Sequence, residues 1–240
     1  MVEFVVAAGL GTVLTTIMLS TFIGNREMVR YDLERTSVNQ NLRSVLDIVG
    51  MNIRLAGENL PSTFPAIEVI DGASGAPDQL ILRRNLRDEI LKVCADIPAL
   101  SFNNLFFAVA GVIPGCTFDD QLQNYNSWNT YLTESGGEAL GYIYDPTTRL
   151  GEFFSFNGVT NTGVELNLVR SSPGGWQNGY TVGQAAAYVI EEWRFVLNGD
   201  VLELYENGDL SNPSRVSYGL SDFQVSVALA GGTTVTSFGT

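Results

Sequence analysis

The strongest constraint on this chain is the apolar run near its start. Residues 4–24, 21 in all, carry no charge; Glu3 precedes them, and Arg26 is the first basic residue after them. As an α-helix the run measures about 30 Å, the thickness of the hydrocarbon core of a bilayer. We therefore predict that residues 1–24 form a helix that lies in a membrane or in the apolar core of an assembly.

Two kinds of residue within this helix set further limits. A carboxylate at the apolar end of a membrane segment costs free energy unless a cation or a hydrogen-bond donor meets it, so Glu3 predicts a partner. Gly9 and Gly11 weaken a helix and let neighbouring helices approach closely. They indicate helix packing, or local unwinding of the helix, between Gly9 and Thr16.

Three interpretations of the run compete. A secretory signal begins with basic residues and ends at a small-residue cleavage site, and this chain has no Lys or Arg before Glu3 and no A-x-A-like site before Arg26. A single-pass anchor needs only length and apolar composition. An assembly helix also accounts for the small residues and the lone acid.

The predicted helix continues past the apolar run. All eight prolines fall at or after Pro61, so the first sixty residues are free to form one helix. Apolar residues at spacings of three and four predict one docking face, made of Val38, Leu42, Val45, Leu46, Val49 and Ile53. With Gly57 placed to end the helix, we predict a helical stem over residues 1–57.

Residues 58–240 predict a β-rich head. Strand candidates are residues 79–84, 139–144, 152–156, 164–169, 188–197, 201–205, 215–218 and 223–229. Asn198-Gly199 between two of them predicts a hairpin, whereas residues 119–138 are polar and aromatic and predict an insertion. We expect an α+β fold in which the amphipathic half of the stem packs on an antiparallel sheet.

Charge is distributed unevenly between stem and head. Residues 1–57 hold five acids and five bases, so the 21 acids and eight bases of the head account for the whole net charge of −13. Such a head repels phosphate backbones and anionic lipids, and we predict no nucleic-acid binding. The one basic cluster, formed by Arg83, Arg84, Arg87 and Lys92, is interleaved with Asp88 and Glu89.

The two cysteines and the absence of histidine limit the chemistry. Cys94 and Cys116 stand 22 residues apart and fit no zinc motif, and a head carried across a membrane would bond them in a disulfide. The alternative is a pair of free buried thiols in a cytosolic protein. No His, one Lys and no GxSxG, GxGxxG or Walker A motif predict a protein that is not an enzyme and takes no cofactor. A glycosidase-type carboxylate pair stays open.

Calcium binding is the remaining metal hypothesis. Asp119-Asp120 and the turn at residues 207–212 offer oxygen atoms, but neither fits the EF-hand pattern. Side chains that form turns explain them better, and no metal site is predicted.

Three segments carry a resemblance to a known family. Residues 1–4 (MVEF), followed by the apolar run, resemble the start of the N-terminal helix of type IV pilins and pseudopilins. The helix ending, with Ile53, Arg54, Ala56 and Gly57, resembles that of PilW-type minor pilins and J-type minor pseudopilins. The C-terminal third resembles them again, at Leu220, Asp222, Phe223 and Val225. The chain departs from the pattern in lacking a proline in the middle of its helix, and Glu203 stands where relatives often have Arg.

The resemblance implies a function and a set of partners. Glu3 and Phe4 would act in filament assembly, with two residues ahead of Met1 in the mature chain. The chain would be a structural subunit, minor or principal, of a type IV pilus-like filament. The alternatives are a minor pseudopilin of a type II secretion system and a membrane-anchored periplasmic binding module.

Expected partners are other pilin subunits, prepilin peptidase and the pilus assembly machinery. The expected location is the inner membrane before assembly, and then an extracellular or periplasmic filament at the cell surface.

Overall fold

A computed structural model of the chain describes residues 2–111 and 113–238, except the side chains of Phe4 and Val5. These residues contain two α-helices and thirteen strands. The helices are α1 (Val2–Leu55) and α2 (Phe118–Glu134). The strands are β1 (Ile67–Ile70), β2 (Gln79–Asn85), β3 (Leu91–Lys92), β4 (Leu105–Val109), β5 (Ala139–Asp145), β6 (Leu150–Asn161), β7 (Glu165–Arg170), β8 (Ala186–Tyr188), β9 (Ile190–Asn198), β10 (Val201–Glu206), β11 (Ser214–Tyr218), β12 (Val227–Ala228) and β13 (Thr234–Val235).

Helix α1 runs without a break through 54 residues, which corresponds to about 80 Å. It stays helical from Gly9 to Thr16, so the local unwinding considered above does not occur in the single chain. Only its end touches the head, where Val45, Val49 and Asn52 are buried. Gly57 follows in a left-handed conformation, with φ of +87°.

The predicted docking face of α1 was partly wrong. Leu46 and Ile53 are exposed, and Val38 and Leu42 lie beyond the edge of the head. The face that docks consists instead of Val45, Ile48, Val49, Asn52 and Ala56. The spacing of the apolar residues is compatible with two overlapping helix faces, and the position of the sheet determines which of them is buried.

Helix α1 packs on a five-stranded antiparallel sheet. Its order is β1-β2-β9-β10-β11, and the predicted hairpin joins β9 to β10, with Asn198 opposite Val201. Gly199 lies in that turn with φ of +65°, a conformation that glycine adopts at little cost. The expected α+β class, with a long N-terminal helix and antiparallel sheets, is therefore confirmed.

A second antiparallel sheet has six strands in the order β3-β8-β5-β6-β7-β4. Helix α2 packs on it, chiefly on β6, β4 and β7, and its Trp128 is fully buried in the core. Most of the segment at residues 119–138, predicted as a polar insertion, therefore forms a helix that packs in the core. Most of its polar residues face solvent, although Gln121 is buried, while Trp128, Leu132 and half-buried Tyr125 and Tyr131 face the sheet.

The second sheet is inserted between two neighbouring strands of the first. All of its strands lie within residues 86–189, and β2 and β9, which flank this segment, pair with each other. The two ends of the segment meet, because Leu86 N donates to Val189 O at 2.8 Å. Asn85 secures the junction by accepting a hydrogen bond from Val189 N at its Oδ1 atom, at 3.0 Å.

The predicted strand at residues 223–229 is reduced to the two residues of β12. The chain ahead of it crosses the face of the five-stranded sheet instead of joining an edge. Buried Asp78 holds it there, since the Asp78 carboxylate accepts from Val225 N at 2.7 Å and Asp78 N donates to Phe223 O at 2.8 Å. Phe223 and Val225 thereby pack beside α1 on the same face.

Candidate functional site

The candidate site is the part of α1 that the head leaves uncovered, residues 2–44, which we call the free stem. Every side chain described there is exposed. The large apolar residues exposed between Val6 and Ile23 are Val6, Leu10, Val13, Leu14, Ile17, Met18, Leu19, Phe22 and Ile23. The helix is long and apolar enough to cross a membrane.

The four threonine hydroxyl groups in the apolar run are bonded within the helix itself. Thr12 donates to Gly9 O at 2.8 Å, and Thr15 donates to Gly11 O at 2.7 Å. Thr16 and Thr21 bond in the same way to carbonyls four residues earlier, at 2.8 and 2.9 Å. A buried hydroxyl without a partner is costly in an apolar medium, so these bonds make the run compatible with lipid or with other helices.

Glu3 lies in the first turn of α1, exposed, and pairs with none of the residues that the structure describes. A negative charge there interacts favourably with the positive end of the helix dipole. The side chain of Phe4, predicted to act with Glu3, lies outside the described part of the chain. The partner that an apolar setting would require for Glu3 must therefore come from elsewhere.

Gly9 and Gly11 lie in the exposed helix, and a Cβ atom built on either meets nothing within 4 Å. In the single chain these glycines consequently relieve no clash. Their absent side chains leave two shallow recesses on the free stem, of the kind that lets a second helix come close.

Beyond Gly24 the free stem becomes charged while remaining partly apolar. Arg30 pairs with Glu34 at 3.0 Å, and the guanidinium of Arg26 lies over the ring of Phe22, 5.5 Å from its centroid. Residues 25–44 carry four bases and three acids together with six exposed large apolar residues: Met28, Val29, Tyr31, Leu33, Val38 and Leu42. This segment is too charged for a bilayer core and exposes more apolar surface than isolated helices in water usually do.

Cys94 and Cys116 form a disulfide, with their Cα atoms 5.7 Å apart and both residues buried. The bond fastens the start of α2 to the segment after β3, and strand β4 lies between. Backbone bonds reinforce it, from Cys94 N to Phe106 O at 2.7 Å and from Val109 N to Cys116 O at 2.9 Å.

The basic cluster noted in the sequence forms no patch for an anionic partner. Arg83 bonds to Glu192 at 2.7 Å and to Glu68 at 2.9 Å, deep in the five-stranded sheet. Arg84 pairs with Glu191, Arg87 pairs with Glu134, and Lys92 donates to Pro114 O. The acidic partners, which lie far away in sequence, could not be identified from the local pattern.

A buried acid of the inserted sheet also has a structural role. Glu152 accepts hydrogen bonds from Gln177 N and Asn178 N, both at 2.9 Å, and from the Tyr180 hydroxyl at 3.0 Å. It thus holds the loop that precedes β8. In the described residues no group of three or more His, Cys, Asp or Glu side chains is arranged to hold a metal ion.

Sequence reasoning missed one exposed feature of the head. Leu100 and Phe102 project into solvent from the loop at residues 98–103, with 79% and 71% of their surface exposed. Local sequence gave no signal for it, because an apolar residue in a loop is as often buried under that loop.

Comparisons with known proteins add no family to this description. No family model, no curated protein and no solved structure matches the chain.

Proposed function

We propose that this chain is a structural subunit of a type IV pilus-like filament that assembles through its N-terminal helix. One observation carries the proposal: α1 is a single helix of 54 residues, and the head covers it only from Val45 onward. Its first part has the length and composition of a membrane span, and its second part has exposed apolar residues between charges. Such a helix needs lipid before assembly and other chains after it.

Glu3 would direct the assembly. Among packed apolar helices an ionised carboxylate costs several kcal/mol unless it is paired, and the amine at the N-terminus of a neighbouring subunit would supply the opposite charge. An ion pair of this kind would fix the axial position of each incoming subunit relative to its neighbour in the helical bundle. In this proposal Phe4 packs beside it, and Gly9 and Gly11 let neighbouring helices come close.

The proposal includes a location and a route. The subunit waits in the inner membrane with its head in an oxidising compartment, where the Cys94–Cys116 bond forms, and it then leaves the bilayer for the filament. Prepilin peptidase and the pilus assembly machinery act on it along this route. In the filament it is surrounded by other pilin subunits.

The test compares three variants of the full-length chain. Glu3→Gln keeps the shape and removes the charge, Glu3→Ala removes both, and Glu27→Gln is the control, because it removes an exposed charge from the charged segment of the same helix. All three should reach the membrane with the disulfide formed. Electron microscopy should find at least about tenfold fewer filaments for both Glu3 variants and wild-type amounts for the control.

The outcomes separate this proposal from its alternatives. Normal amounts of filament that contain the Glu3→Ala subunit would defeat the assembly role and favour a membrane-anchored periplasmic binding module. A chain that enters only short periplasmic structures, and whose loss stops protein export, would be a minor pseudopilin of a type II secretion system.

A further inference from the structure

The loop at residues 98–103 holds two apolar side chains in water at an energetic cost. Leu100 adopts a left-handed backbone conformation, with φ of +63°, which is costly for any residue with a bulky side chain. Glycine or asparagine would occupy the same position more easily. The Leu100 side chain is 79% exposed, so the unfavourable backbone conformation is not compensated by burial of that side chain within its own chain.

The rest of the loop is fixed to the core. Leu100 N donates to Trp176 O at 2.6 Å, and Trp176 N donates to Ser101 O at 2.9 Å. The indole of Trp176, which is fully buried, donates to Asn103 O at 2.9 Å. A loop held in this way presents Leu100 and Phe102 in one fixed arrangement, so a partner that binds them loses little loop entropy.

The charge distribution narrows the choice of partner. The loop itself carries no charge, but the head around it holds most of the net charge of −13. A second head, an anionic lipid surface and a nucleic acid would each be repelled. The free stem, whose charges balance and whose apolar residues are exposed, would not be repelled.

The free stem has an uncovered surface of the right kind. Val38 and Leu42 lie one turn apart, and they continue the apolar face that Val45 and Val49 bury in their own head. Both are still 40–48% exposed, since the head ends before it reaches them. The segment around them is too charged to enter a bilayer, so its cover must be protein.

We propose that Leu100 and Phe102 of one copy dock on the Val38 and Leu42 surface of the stem of a second copy. This inference rests on the proposed function, which it extends by naming a contact between head and stem. Each copy offers one loop and one stem surface, so the same contact can repeat from subunit to subunit along a filament.

The first test uses two full-length variants expressed together, one with Phe102→Cys and the other with Leu42→Cys. The native cysteines are bonded to each other, so each variant adds one free thiol. Mild oxidation of filaments should give a disulfide between the two kinds of chain. The matched control pairs Leu42→Cys with Val164→Cys, another exposed apolar site on the head, and should give at least about tenfold less.

The second test separates a contact from a structural role. Leu100→Asn suits the left-handed backbone and removes the apolar side chain. The variant should be at least as stable as the wild type in thermal unfolding, yet should form about tenfold fewer filaments or more. If the loop served only the stability of the head, this variant would form filaments normally.

Two results would overturn the inference and leave the proposed function intact. One is a normal yield of filaments in which Phe102→Cys does not bond to Leu42→Cys and Leu100→Asn has no effect. The other is bonding of Phe102→Cys chains only to each other, which would mean contact between heads. A wild-type chain that forms no filaments would instead defeat the proposed function itself.

Discussion

Arg83 on β2 lies directly opposite Glu192 on β9, and its Nε donates to the Glu192 carboxylate at 2.7 Å. The same guanidinium bonds to Glu68 at 2.9 Å and to Pro65 O at 3.1 Å. Burial on its own lowers the pKa of Arg83, but Glu192 and the other neighbouring groups more than offset it and raise that pKa. The five-stranded sheet therefore contains a permanently charged group whose counter-charges are supplied by two other strands.

Arg83→Met should destabilise the head by about 3–5 kcal/mol, because it leaves the buried Glu192 carboxylate without its cation. Replacing Glu192 by Met as well should recover part of this loss. Chemical unfolding of the full-length protein in detergent measures both. Arg30→Met breaks the exposed pair with Glu34 and is the control, with an expected loss below about 1 kcal/mol. Equal losses for Arg83→Met and Arg30→Met would contradict the role of the buried network.

Alkaline pH should destabilise the head through Tyr142 and Tyr188. Burial raises the pKa of each from 10.0 to about 12. The unfolded chain therefore loses these protons first, so the stability they provide is complete below about pH 10 and is lost as pH rises towards 12. The free energy of unfolding should fall by up to about 1.4 kcal/mol per pH unit for each tyrosine.

Urea unfolding across this pH range measures the effect. Tyr142→Phe and Tyr188→Phe should each make the fall shallower, whereas Tyr218→Phe, at an exposed site, should leave it unchanged. A fall of the same steepness in all three variants would assign the alkaline transition to other groups.

Removing residues 1–24 should give a soluble, folded, monomeric protein. None of the side chains described in the apolar run is buried, whereas Val45 and Val49, which are buried in the head, remain in the shortened chain. Size-exclusion chromatography and circular dichroism check the result. A truncated chain that does not fold would show that residues 1–24 contribute to the fold of the head, against the division into stem and head.

Loss of the disulfide should weaken the head without rearranging it. Replacing both Cys94 and Cys116 by Ala frees a loop of 22 residues, which costs about 3 kcal/mol in the chain-entropy model. Thermal unfolding measures the loss. In the native protein, mass spectrometry without reductant should find neither thiol open to alkylation, and two alkylated thiols would also weaken the proposed export of the head.

Sequence was informative where local chemistry decides the structure. The spacing of apolar residues and the absence of proline predicted the long helix, and Asn198-Gly199 predicted the hairpin between β9 and β10. Most strand candidates lie within a few residues of an observed strand. In each of these cases a pattern of a few neighbouring residues is enough, because the hydrogen bonds or the turn that it favours are local.

Prediction from the sequence failed where residues far apart in the chain determine the structure. Asp119 and Asp120 were interpreted as turn-forming residues, although they begin α2, which Thr117 caps by accepting a hydrogen bond from Asp120 N. Trp128 is in the core because a sheet whose strands come both before and after α2 in the sequence receives it. Similarly, the strand predicted at residues 223–229 was displaced by its contacts with Asp78, almost 150 residues earlier in the chain.

The candidate site also has one part that local sequence predicts and one part that it does not. The apolar first half of the free stem could be predicted from the sequence, because a long run of apolar residues needs no partner to be recognised, whereas Val38 and Leu42 were expected to dock on the head. The exposed loop with Leu100 and Phe102 was not, since only the hydrogen bonds to Trp176 show that the loop faces solvent and is fixed.

The hydrogen bond between Leu86 and Val189 brings the two ends of residues 86–189 together at one point of the head. Residues 86–189 enter and leave the five-stranded sheet at one point, and the pairing of β2 with β9 and the docking of α1 use residues outside this segment. Selection for a new surface can thus act on the inserted sheet, with its disulfide and its apolar loop, without disturbing the elements that hold the stem.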